Sequence, residues 1–121
     1  MTLTRLSMPE AMMIETFRHN GKTDPEILEL ANKNAVLAPL RENLESILRD
    51  GYTIKFVTFN GLKNLLRLKF DKHIDRDFVA TEQGMADLQL ETEQVATLQQ
   101  LLSQNCVLEQ ESDGSFRVLW T

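Results

Sequence analysis

At 121 residues, 42% apolar and 26% charged, the chain has the length and composition of one soluble globular domain. Those figures exclude a disordered chain, and no apolar run approaches the roughly 18 residues of a membrane span. The formal net charge of −5 is uneven: residues 1–80 carry twelve Lys or Arg against eleven Asp or Glu, and residues 81–121 carry Arg117 against seven acids.

The start, Met1-Thr2-Leu3-Thr4-Arg5, lacks an apolar stretch of signal-peptide type, so a cytoplasmic location is expected. Ser7-Met8-Pro9-Glu10 reads as a helix entry, with Ser7 as cap, Pro9 in the first turn and Glu10 three residues on from the cap. Ala11, Met12, Ile14, Glu15 and Phe17 continue that helix to a stop at His19-Asn20-Gly21, where His19 suits the negative helix end. Thr23-Asp24-Pro25-Glu26 repeats the grammar, with Ile27, Leu28, Leu30 and Ala31 as the apolar face. Pro39 predicts a break just before it. Leu40, Leu44, Ile47 and Leu48 then give a third amphipathic helix, ending at Asp50-Gly51.

The run Tyr52-Thr53-Ile54-Lys55-Phe56-Val57-Thr58-Phe59 alternates with a two-residue period and is rich in β-branched and aromatic residues. Asn60-Gly61 suits a type I′ turn, which predicts a hairpin returning through Leu66-Arg67-Leu68-Lys69-Phe70. Leu62, Leu65, Leu66 and Lys69 also share a helical face, so strand-turn-helix is the alternative. Residues 71–86 read as an irregular segment anchored by Ile74, Phe78 and Val79, followed by a short strand at Asp87–Glu91. Thr92 caps a helix striped by Val95, Leu98, Leu101 and Leu102. A last hairpin, Cys106–Glu111 and Ser115–Trp120, turns at Asp113-Gly114, with Phe116, Val118 and Trp120 on the core face and Cys106 as a small buried residue. The fold class is α+β: N-terminal helices packed on a small antiparallel sheet of two hairpins, with one helix before the C-terminal hairpin, in a single domain spanning 1–121.

Catalytic patterns are absent from the sequence. Only His19 and His73 supply imidazole, and no nucleophile elbow, phosphate-binding glycine loop or metalloprotease helix occurs. No cofactor is expected. The most specific spacing is Asp71, Asp75, Asp77 and Glu82, at positions 1, 5, 7 and 12 of a calcium loop, with His73 between them. Arg76 stands where that loop needs glycine. A divalent ion on one strand face, held by residues 71, 73, 75 and 77, is the simpler variant. A solvated loop neutralised by Lys72 and Arg76 needs no ion at all.

Within 55–76, six basic residues face two acidic ones. Lys63, Arg67, Lys69, Lys72 and Arg76 are the candidate contact residues. The expected function is a small, non-enzymatic protein-binding or regulatory module, alone or as a homodimer, whose basic centre and acidic C-terminal portion orient a partner or a second copy. The alternative is a nucleic-acid-binding regulator using the same basic segment, with Phe56 or Phe59 for stacking. The helix at 93–104 and the hairpin after it resemble the last helix and wing of a winged helix-turn-helix domain, which implies DNA readout through Gln94, Gln99, Gln100 and Gln104. Thr92–Gln104 contains no Lys or Arg, so phosphate neutralisation would fall to other residues.

Overall fold

The structure, a computed structural model, describes residues 3–102 and 104–120. Met1 and Thr2 of the N-terminal stretch, Ser103 of the expected helix at 93–104, and Thr121 lie outside the described residues. The chain is of mixed α+β class with its helices weighted to the N-terminal side. Strand β1 (Arg5–Leu6) leads into helix α1 (Met8–His19), α2 (Asp24–Ala31), a short 3₁₀ turn (Ala38–Leu40) and α3 (Leu44–Asp50). Strand β2 (Thr53–Ile54) and α4 (Phe59–Phe70) follow, then β3 (Val79–Ala80), β4 (Gly84–Leu88), α5 (Thr92–Leu101), β5 (Cys106–Gln110) and β6 (Phe116–Trp120).

The first two helices begin as their residues dictate. Ser7 Oγ accepts from the Glu10 N–H (3.3 Å) while Glu10 Oε1 accepts from the Ser7 N–H (2.8 Å). Thr23 and Glu26 build the same reciprocal cap, so two orphan donors are satisfied at each entry. Pro39 sits inside the 3₁₀ turn, and Leu40 belongs to that turn rather than to α3.

The hairpin expected at 52–70 does not form; the strand-turn-helix alternative holds. Thr58, extended at φ −97° and ψ 156°, caps α4 by accepting from the Gly61 N–H (3.1 Å). Asn60-Gly61 therefore lies in the first helical turn, and Leu62, Leu65 and Leu66 are buried along the face that their helical spacing marked. Gly61 has a packing role instead of a turn role: a Cβ there would lie 2.6 Å from the Met8 side chain of α1. The strand-like run before it pairs only at Thr53–Ile54, in parallel with Arg5–Leu6. At Val57 a side chain replaces a neighbouring strand. Asn105 Oδ1 accepts from the Val57 N–H (3.2 Å), and Asn105 Nδ2 and Trp120 Nε1 both donate to the Val57 carbonyl (2.8 Å each).

The main sheet has strand order β3-β4-β6-β5 and is antiparallel throughout. Its two hairpins are β3–β4 and β5–β6. The strand expected at 87–91 lies at Gly84–Leu88, and Asp87 adopts φ 58° within a register shift between Met85 and Leu88. Gly84, at φ 155°, passes so close to the Val118 carbonyl that a Cβ would strike it. The C-terminal hairpin turns at Asp113-Gly114 as the sequence indicates, with Leu108 opposite Val118. Helix α5 starts one residue earlier than expected, with Glu91 as cap, and ends at Leu101. Leu6, Ile14, Ile27, Ile54, Leu65, Met85, Leu98 and Val118 all join one buried core. Among the described residues no helix is long and apolar enough to cross a membrane.

Candidate basic site on helix α4

The five basic candidates divide once they are placed. Lys63 and Arg67 stand one helical turn apart on α4, and Lys72 follows just past its end. Together with Asn64, His73 and Ile74 they line a surface cavity of about 280 Å³. None of these three cations has a carboxylate within 4 Å among the described residues. Arg67 lies near the negative pole of α4, where a cation is favoured by ~0.3–1 kcal/mol. Lys63, in the second turn, gains nothing from that pole.

Lys69 and Arg76 are not available in the way the sequence suggested. Lys69 points inward, with 15% of its side chain exposed, and its Nζ donates to Glu15 Oε2 at 3.0 Å. Arg76 folds over its own loop: Nη2 donates to the Asp71 carbonyl (2.7 Å) and lies 2.8 Å from Asp77 Oδ2.

That clasp also engages two of the candidate metal-ligand carboxylates, Asp71 and Asp77. Residues 71–73 are irregular and 75–77 form a turn, closed by the Asp77 N–H on the His73 carbonyl (2.8 Å), so no strand face presents residues 71, 73, 75 and 77 together. Asp71 Oδ1 meets His73 Nε2 at 2.7 Å, and Asp77 Oδ2 accepts from the His73 N–H at 2.8 Å. The His73 ring beside Asp71, and the His73 amide followed by Arg76 beside Asp77, hold both carboxyls below the ordinary aspartate range. Glu82 is exposed in the β3–β4 turn. Among the described residues no three His, Cys, Asp or Glu side chains gather as metal ligands would. Arginine stands at the position that a calcium loop reserves for glycine, and here it ties Asp77 to the Asp71 carbonyl.

Sequence reasoning missed the carboxylate that captures Lys69. Glu15 is 3% exposed, and its Oε2 accepts from the Tyr52 hydroxyl (2.5 Å) and Lys69 Nζ (3.0 Å), with Arg18 Nη1 at 3.5 Å. Burial first, then the neighbouring Glu15 charge, push the Tyr52 phenol far above its ordinary range. A signal was present: Glu15 lies four residues after Ala11 and one after Ile14, both core, so its carboxylate had to enter the core side of α1.

In the hairpin compared with a wing, Glu109 and Glu111 share Arg117 (2.7 and 3.0 Å), and Asp113 Oδ1 accepts from Ser115. No protein-family model, curated protein or solved structure matches the chain.

Proposed function

We propose that the chain is a small, non-enzymatic binding module that receives an acidic segment of a partner protein, or of a second copy of itself, in the Lys63–Arg67–Lys72 cavity. The observation that supports this is the contrast in charge pairing. Every other cation of the 63–76 segment has an internal carboxylate, and these three surround open space. Unpaired cations of this kind steer an acidic partner and fix its register more than they add raw affinity. A cytoplasmic setting belongs to the same reading, and the chain's one cysteine, buried Cys106, suits a reducing compartment.

Nucleic acid is the second reading, and one observation favours it: Phe56 is 64% exposed beside exposed Lys55, an arrangement suited to stacking a base. Binding of a fluorescent oligoglutamate peptide and of oligo-dT, side by side at about 50 and 200 mM salt, separates the two. The proposal expects tighter binding of the peptide, abolished by combined Lys63→Glu, Arg67→Glu and Lys72→Glu substitution. Preference for oligo-dT with a steep salt slope, lost in Phe56→Ala, would move nucleic acid to the front. Peptide binding unchanged in the triple variant would remove the cavity from the account.

A further inference from the structure

A second cavity, of about 370 Å³, lies beside the C-terminal ends of α1 and α4. Glu15, Arg18, His19, Lys69 and Thr97 form its polar part, the Thr97 hydroxyl donating to the Glu93 carbonyl (3.0 Å), and Leu68 and Phe70 form its apolar wall. Its chemistry turns on the two oxygens of one carboxylate. Tyr52, Lys69 and Arg18 all approach Glu15 Oε2. Oε1 accepts from no described residue, yet no polar side-chain atom among the described residues is both enclosed and unpartnered. Oε1 therefore keeps accessible surface on a residue that is 97% buried and lines this cavity.

Opposite signs thus meet in one small space. Oε1 offers an acceptor that the protein leaves open. Lys69 has three N–H donors and directs one of them to Glu15, so it has donors to spare. Arg18 is held by its bond to the Leu48 carbonyl (2.9 Å) and lies 3.6 Å from Asp24 Oδ1, so its charge is already shared outside the cavity. Glu15 offsets Lys69 and Asp24 offsets Arg18, so the site selects a ligand by its open acceptor and its spare Lys69 donors rather than by excess charge. The complementary ligand is a monoanion that carries its own hydrogen-bond donor next to the anionic group, with a short carbon body for Leu68 and Phe70. We infer that this cavity binds a small hydroxycarboxylate, its hydroxyl donating to Glu15 Oε1 and its carboxylate accepting from Lys69. The site is separate from the basic cavity on α4 and does not rest on the function proposed above.

The test uses the whole chain, ¹⁵N-labelled, titrated with glycolate, with methoxyacetate (the same anion without the donor) and with glycine. The inference expects glycolate to shift the amides of Arg18, His19, Leu68 and Lys69 and to bind about ten-fold more tightly than methoxyacetate, the worth of one hydrogen bond to a charged group. Glu15→Gln, checked for folding by its own spectrum, should erase that preference, and Lys63→Glu should preserve it. Equal binding of glycolate and methoxyacetate, or shifts confined to other residues, would overturn the assignment. Glycine binding as tightly as glycolate would overturn it too, in favour of a zwitterion site.

Discussion

Helix α4 carries cations on two faces, and they have opposite fates. Lys69 turns inward to a carboxylate that is itself buried, under the ring of Tyr52 at 5.9 Å. Lys63 and Arg67 turn outward and meet nothing of opposite sign among the described residues. The two faces are built from the same residue types within seven positions, so composition does not separate them. What separates them is whether α1 places a carboxylate opposite. An inward charge must be matched because its desolvation is costly. An outward charge need not be, and one left unmatched is available to another molecule.

The strongest way to break the contrast is to remove the inward carboxylate. Glu15→Ala should destabilise the fold by about 3–5 kcal/mol, because it strands Lys69 and the Tyr52 hydroxyl together. The midpoint of urea unfolding reads this directly. If Glu15→Ala cost no more than an ordinary surface substitution, the inward and outward faces would be energetically alike.

Tyr52 sharpens the same point with a smaller effect. Tyr52→Phe removes one buried hydrogen bond and leaves the carboxylate with its two cations, so a loss of ~1–2 kcal/mol is expected. The phenol's pKa is raised in the fold, which stabilises the native state fully below the unfolded value of about 10 and less as the pH climbs above it. Tyr52 is the only tyrosine, so tyrosinate absorbance reports it alone. On an alkaline titration that absorbance should appear together with unfolding. Its appearance near pH 10 in a still-folded chain would contradict the buried network.

Gly61 lies where α4 meets the Met8 side chain of α1, the helix that also carries Glu15. An alanine there gains up to about 1 kcal/mol of helix propensity but meets the Met8 side chain, an overpacking worth ~1–3 kcal/mol. The net expectation is a loss of about 1 kcal/mol that Met8→Ala relieves in a double-mutant cycle. Additivity of the two substitutions would mean that the close approach at Gly61 has no energetic weight.

Local grammar was legible in the sequence and long-range pairing was not. The caps at Ser7 and Thr23 and the Asp113-Gly114 hairpin each depend on residues within a few positions, and each formed where the residues indicated, whereas Pro39 breaks no helix but lies inside a 3₁₀ turn. At Asn60-Gly61 two local signals competed. The turn dipeptide lost because Thr58 could cap a helix and Leu62, Leu65 and Leu66 could bury one face of it. The two-residue strand at Arg5–Leu6 is too short to leave a period. In the candidate site, the basic excess around α4 was visible, but the division of its members was not. That division rests on contacts 54 residues apart for Lys69 and on a loop closed by Arg76. The acidic spacing at 71–82 was equally visible, but the ties from Arg76 to Asp77 and to the Asp71 carbonyl were not.

The smallest expected change in stability is also the most telling for function. Lys63 and Arg67 are like charges one helical turn apart, an arrangement that costs about 0.2–0.5 kcal/mol. Lys63→Glu converts the repulsion into a favourable pair, with the acid on the N-terminal side as the helix prefers, so it should raise stability by a few tenths of a kcal/mol. The same substitution replaces one of the three cations around the basic cavity with a negative charge and should weaken oligoglutamate binding about ten-fold or more. A gain in stability coupled to a loss of binding is the signature of a residue kept for a partner rather than for the fold. If Lys63→Glu stabilised the chain and left binding intact, the outward cations would be solvated bystanders, and the difference between the two faces of α4 would be one of burial alone.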